Sequence, residues 1–326
     1  MKWLPAGSDH ALLFSGRTAI ETVLRDIGNN AGNALLPSYC CASMIEPFLA
    51  AGYAVKFYEV SGTDGISVAM DIPEACSVLL WCNYFGFHMD YPREEIRRFR
   101  KRGGIVIEDI THSLLSKKQC HGESDYLVAS IRKWGALLSG GFCGKTAGWF
   151  AEKPERKPHA DFLRQKADAM ALKEEYLRDG DAAKKEHYLQ MFAQSNQWLA
   201  EYWSGLTMDE ESRRVLLSWD VCAMREQRRR NAAVLYRGLA ECGGVKPLFP
   251  FEKMDCPLFV PICVKAEERD AVRRRLIKEE IYCPVHWPKP SAECVSSLYD
   301  TELSLICDQR YGQEDMRRIL SALQKM

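Results

Sequence analysis

Ile105-Val106-Ile107-Glu108-Asp109-Ile110-Thr111-His112-Ser113 is the stretch on which the fold turns. Three β-branched apolar residues in succession suit a strand buried on both faces, and the two carboxylates that follow end it abruptly. Upstream, Arg93 to Lys101 have helical spacing, with Asp90 placed to cap them, Pro92 in the first turn and Gly103-Gly104 as the stop. Ser77 to Cys82 is a second continuous apolar run. Ala54 to Val60 alternates like a strand, Ser43 to Ala50 returns to the helical period, and Asn33 to Pro37 is a short apolar strand. Ala19 to Ile27 puts Ile20, Val23, Leu24 and Ile27 on one helical stripe. Downstream, Asp125 to Ala129 is another buried strand. Short apolar strands separated by short helices predict an α/β chain, with a mainly parallel sheet flanked by helices on both faces. Ligands of such sheets gather at the carboxyl ends of the strands, here just after Ile107 and just after Ala129.

From about Pro154 to Leu239 the chain turns to long, charge-rich helical segments. Gly243-Gly244 and Pro247 then punctuate it. Beyond them, Pro257 to Val264 reads as a strand, Glu267 to Glu279 as a helix, Tyr282 to Val285 as a strand and Glu314 to Gln324 as a closing helix. The expected division is a large domain over 1–239 and a smaller α+β domain over 240–326. Lys plus Arg equal Asp plus Glu at 44 each, so no net field draws the chain to nucleic acid or to an acidic membrane. Arg228-Arg229-Arg230 fits the solvated face of a helix. Met1-Lys2-Trp3-Leu4-Pro5 lacks the apolar core of a signal peptide, and no apolar run approaches the ~20 residues of a membrane span. The 13 cysteines include no C-x-x-C, which suits a reducing cytoplasm. Cys120-His121 has no second ligand pair at zinc-site spacing, so no metal is expected.

Asp109, directly after a buried strand, can reach a ligand above the sheet or simply cap the following turn. Lys133 lies in Ser130-Ile131-Arg132-Lys133-Trp134-Gly135, just past the strand ending at Ala129. An amine held unprotonated is a Schiff-base nucleophile, whereas most lysines lie solvated on the surface. The two residues are 24 positions apart and follow successive strands, so both can face one pocket. Ser130 can offer its hydroxyl to a phosphate oxygen. Ser15-Gly16-Arg17-Thr18-Ala19 precedes the first helix, where free N–H groups bind phosphate. Gly16 allows close approach there, and Arg17 or Thr18 can add donors; a plain Ser/Gly helix start is the alternative. Gly144-Lys145-Thr146 has the look of a Walker-loop tail and of an ATPase. However, position 139 is Ser where the first Gly belongs, and Ala147-Gly148-Trp149-Phe150 does not read as a helix. Gly140-Gly141 more simply turns the backbone back after the lysine loop. No G-x-G-x-x-G is present, which argues against a Rossmann dinucleotide site. Of the seven histidines, only His112 stands near these candidates in sequence.

The order of these motifs resembles the sugar aminotransferases of the DegT/StrS type, among the fold-type I enzymes that use pyridoxal 5'-phosphate (PLP). The matching stretches are Ser15 to Ile20, Leu36-Pro37-Ser38-Tyr39, Asn83-Tyr84-Phe85-Gly86, Val106 to Ser113, and Ser124-Asp125 leading to Ser130 and Lys133. The resemblance implies a seven-strand-type, mainly parallel sheet with a smaller C-terminal domain, PLP as cofactor, and a homodimer. By position, it implies that Lys133 holds PLP as a Schiff base and later moves protons between carbons. Asp109 would keep the pyridine nitrogen protonated, and His112 falls where the family often has a Gln against the ring hydroxyl. Gly16, Arg17 and Thr18 would occupy the phosphate loop with Ser130. Tyr39 is the nearest candidate for the stacking ring, although strict spacing lands on Cys41. Two departures bear on the substrate. Ser130 stands three residues before Lys133, closer than the family's usual spacing, and Ser204 to Met208 replaces its usual Gly-x-Asn-x-Arg stretch.

The expected reaction is a ping-pong transamination, with glutamate as donor and a keto-sugar, free or nucleotide-linked, as acceptor. Arg310 and His286-Trp287 are candidate substrate contacts, or else a surface ion pair and a packed aromatic. A PLP-dependent lyase on the same fold, and a non-catalytic PLP-fold protein, are the alternatives. The expected partners are small molecules and a second copy of the chain, with neither nucleic acid nor membrane.

Overall fold

Apolar runs that cannot show either face to water have to be covered by helices on both sides, and the chain does this in a computed structural model describing residues 3–5, 7–28, 32–62 and 65–325. Met1, Lys2 and Met326, at the ends of the two expected domains, lie outside the described residues. Among those described, the main sheet has eight strands: β1 (Asp9–Leu13), β2 (Asn33–Pro37), β3 (Ala54–Gly62), β4 (Ile66–Ala69), β5 (Cys76–Cys82), β6 (Ile105–Asp109), β7 (Tyr126–Ser130) and β8 (Gly141–Lys145). Their spatial order is β1-β8-β7-β6-β5-β2-β3-β4. The pairings from β3 through β2, β5 and β6 to β7 are parallel, while β1–β8, β8–β7 and β3–β4 are antiparallel. The α/β expectation holds, and the extra strand is the edge hairpin partner β4.

Helices α1 (Gly16–Ile27), α2 (Ala42–Ala50) and α3 (Arg93–Lys101) connect these strands. Asp90 does not cap α3. The N-cap residue is Pro92, without a side-chain bond, and the Asp90 carboxylate stands 3.6 Å from Lys253 instead. Glu94 and Glu95 in the first turn answer the helix dipole. The charge-rich stretch forms α4 (Ala160–Asp179), α5 (Ala182–Glu201), α6 (Glu210–Leu217) and α7 (Val221–Leu239). α4 and α5 make a hairpin, turned by Gly180 in the left-handed conformation (φ 71°) and capped by Asp181.

The C-terminal unit carries β9 (Lys246–Pro247), β10 (Val260–Cys263), α8 (Ala266–Lys278), α9 (Leu298–Thr301), β11 (Glu302–Leu305) and α10 (Gln313–Gln324), with sheet order β11-β10-β9. Tyr282 to Val285, expected as a strand, is irregular. Pro284 has no N–H to enter a ladder and only accepts the Ser304 N–H, at 2.9 Å, so β11 completes the sheet. One apolar cluster runs from Val78, Leu79, Leu80, Val106 and Ile107 in the main sheet to Val260, Ile262 and Leu305 in the second.

β8 lies so close to the start of α1 that a Cβ on Gly141 would sit 2.1 Å from the Ser15 carbonyl oxygen. That contact brings the beginning of the first helix alongside the turn after β7.

Candidate active site

Asp109 is the last residue of β6, and Lys133 closes the short 3-10 turn Ile131–Lys133 that follows β7. Strand alternation sends the paired carboxylates of 108 and 109 to opposite faces. Glu108 is fully buried and accepts from Asn83 Nδ2 at 2.8 Å, from His121 Nδ1 at 2.9 Å, and from the Ser124 hydroxyl. That makes it a structural group. Asp109 instead lines a cavity of about 870 Å³, and Lys133, His112, Ser130, Ser15, Gly16 and Arg17 line the same cavity.

Thr111 braces the two ends. Its N–H donates to Asp109 Oδ1 at 2.8 Å, its Oγ1 accepts the Ser130 N–H at 2.9 Å, and its carbonyl accepts Trp134 Nε1–H at 2.6 Å. Asp109 therefore also serves the turn, as the plain reading of it anticipated. Burial pushes its carboxyl above the ordinary range, opposed by the Thr111 hydrogen bonds and the Lys133 charge. Trp134, next to Lys133, is bolted from the far side too: its carbonyl accepts from Gln309 Nε2 at 2.9 Å, and the Arg228 guanidinium lies 4.6 Å over its ring.

His112 is buried, and its Nδ1 accepts the Phe85 N–H at 3.1 Å. In the neutral ring the proton then resides on Nε2, which is 3.4 Å from Lys133 Nζ. Burial, followed by the Lys133 and His286 charges, holds this imidazole well below the usual histidine range, so it is neutral at pH 7. Trp287 stacks on it at 5.7 Å and lies 5.4 Å beneath Lys133 Nζ.

At the other end of the cavity, Ser15 caps α1 by accepting the Thr18 N–H at 3.3 Å. The next N–H groups, of Gly16 and Arg17, have no intrahelical acceptor. A Cβ on Gly16 would meet Ser130 Cβ at 3.2 Å, so the helix start and the lysine turn touch. Arg17 pairs with Glu46 at 2.5 Å.

Two sequence candidates are not brought to the cavity. Thr18 is fully buried, with its hydroxyl donating to the Trp203 carbonyl at 2.7 Å; Ser15 takes the wall position. Tyr39 sits in an aromatic cluster 5.1 Å from both Trp287 and Tyr299, while Cys41 lines the cavity. Arg310 reaches the cavity wall but is forked onto Asp308 at 3.0 and 2.6 Å, and Trp287 reaches it without His286. Lys145 of the Walker-like stretch lies in β8 and pairs with Asp26 at 2.7 Å, which leaves it a structural role. Thr111, Trp134, Arg132 and Lys166 were not singled out in the sequence. Thr111 and Trp134 flank motifs that were, but nothing local marks Lys166, which reaches the site from α4.

Solved structures resemble the whole of this chain. The aminotransferase TlmJ from Streptoalloteichus hindustanus superposes with a TM-score of 0.66 at 16% identity, covering 99% of this chain and 87% of its own. The sugar aminotransferase CalS13 from Micromonospora echinospora gives 0.63 at 14% identity, covering 97% and 87%. NtdA from Bacillus subtilis, solved with bound cofactor PMP, gives 0.64 at 12% identity, covering 97% and 73%. The chain shares the fold of these fold-type I aminotransferases. No family model matches the sequence, and neither does any curated protein.

Proposed function

We propose that the chain is a PLP-dependent aminotransferase moving an amino group from a donor such as glutamate to a keto-sugar, free or nucleotide-linked. The observation that carries this reading is that Asp109 and Lys133 open on one cavity from the ends of adjacent parallel strands, with Thr111 bonded to both ends. The donor set fits the cofactor. A helix start, Ser15, Ser130 and Arg17 suit its phosphate, the Asp109 carboxyl suits a ring N–H, and Lys133 supplies the amine.

When bound, the group supplies a protonated pyridine ring that takes up electron density as a C–H bond of the substrate breaks. Asp109 holds the proton at the ring nitrogen. Lys133 would hold the group through its amine and, at that same nitrogen, carry a proton to and from the substrate. His112 would offer its Nε2–H to an oxygen of the bound group, and Trp287 beneath the amine would keep water from that side. In this reading the chain works as a cytoplasmic homodimer of two-domain subunits divided near Leu239. Buried free thiols such as Cys76, Cys82, Cys143 and Cys307 support the compartment, and the exposure of Lys133 in a single chain supports the dimer.

The visible spectrum with added PLP tests the proposal. A band near ~420 nm should appear, vanish in Lys133→Ala, and bleach with glutamate. A wild-type spectrum without the band, or one that Lys133→Ala leaves unchanged, overturns it.

A further inference from the structure

Arg132 lies one residue before Lys133, inside the 3-10 turn, and lines the cavity. Its Nε is buried without a hydrogen-bond partner, and its guanidinium enters no ion pair among the described residues. Burial, with the Arg17 charge added to it, lowers its affinity for its own proton, to a pKa of about 10. Lys166 reaches the same wall from α4. Its ammonium donates to the Leu138 carbonyl, and burial followed by the Arg132 charge brings it down to about 7. The one carboxylate that favours its charge, Asp209, is already engaged by the Ser139 hydroxyl and by the Ser212 N–H at 2.8 Å. Two half-buried cations thus line one cavity without an ion pair of their own among the described residues, and the Nε of one is buried with no acceptor. Such an arrangement is unfavourable unless an anion joins it. The start of α1 and Ser130 face the same space, where they add neutral donors.

We propose that Arg132 and Lys166 form a two-cation clamp for a phosphate monoester dianion. This rests on the cofactor reading above, in which the dianion is the cofactor's phosphate. The clamp bridges two elements that otherwise meet loosely, the lysine turn and the α4–α5 hairpin, so the bound dianion would hold α4 down over the cavity. A cation from each side, rather than one arginine, makes the site select a doubly charged group over a singly charged one.

The test compares PLP with pyridoxal, which lacks the phosphate. Both are titrated into wild type, Arg132→Met and Lys166→Met by absorbance and intrinsic fluorescence. Inorganic phosphate is also tested for thermal stabilisation at constant ionic strength. Wild type should prefer PLP over pyridoxal, and Arg132→Met should cut that preference about 10- to 100-fold with pyridoxal binding little changed. Lys166→Met should cut it about 3- to 10-fold. Phosphate should raise the melting temperature of wild type and lose most of that effect in both variants. Unchanged preference and unchanged phosphate stabilisation in both variants overturn the clamp, even if the Lys133-dependent band is present. Phosphate stabilisation through Arg132 without that band would keep the clamp and remove the cofactor reading.

Discussion

Asp109 is held in a place that costs the empty protein stability, and this gives a test at the level of one side chain. Its folded-state pKa is raised by burial, so the unfolded chain ionises at lower pH than the folded one. As pH climbs past the ordinary value of 3.8, the unfolded state gives up a proton that the folded state keeps, and stability falls until the folded carboxyl ionises too. Asp109→Asn removes that penalty. Without cofactor, the variant should melt above wild type at pH 7, and the difference should shrink as pH falls towards 4; a gap that widens on acidification would refute the assignment. With PLP, the same variant should keep the visible band but lose transamination by at least about 100-fold, since Asn cannot hold the ring proton. Asp109 and Lys133 were legible in sequence because each follows a buried run, and a strand end fixes where the next side chain goes. Thr18 and Tyr39 lie off the cavity because their surroundings come from Trp203 and Tyr299, residues far along the chain that no local pattern announces.

Elements were legible in proportion to their burial. β5, β6 and β7 are built on continuous apolar runs, and the sequence places each within two residues of its ends. β1, β4 and β8 were not read as strands: β4 is a four-residue edge, β1 starts with Asp9 and His10, and β8 is Gly-Phe-Cys-Gly-Lys, whose glycines weaken any strand preference. Only the turn-back at Gly140-Gly141 hinted at β8. The α4–α5 hairpin is the element with most to gain from a ligand. In α4 only Phe162 and Ala169 are buried, and Phe162 belongs to a small cluster with Phe14 and Leu199 at the hairpin base. Lys166, Met170, Lys173 and Leu177 follow one helical stripe along the cavity. Amide hydrogen exchange should therefore be fast over α4 residues 166–177 in the empty protein and slow by about 10-fold or more when PLP is added, with β6 protected in both states. Equal protection of α4 with and without PLP would show that the hairpin does not respond to the cavity's contents.

At the scale of the molecule, the isolated chain leaves Lys133 exposed although every proposed partner of it is buried or half-buried. An amine that has to react with one carbonyl and no other needs cover, and Leu177 and Leu189, 70% and 53% exposed on the hairpin, leave apolar surface for a second copy to use. Sedimentation of the cofactor-loaded protein should give a species of about twice the 37.2 kDa chain mass. A fully active species at the single-chain mass would end the homodimer reading. The contacts that set the lysine turn come from both ends of the sequence: Phe14 accepts the Gly140 N–H at 2.8 Å, and Gln309 grips Trp134. A turn tied at two such distant points keeps its shape only when both segments are folded against it, so a fragment carrying one of them leaves the turn half anchored.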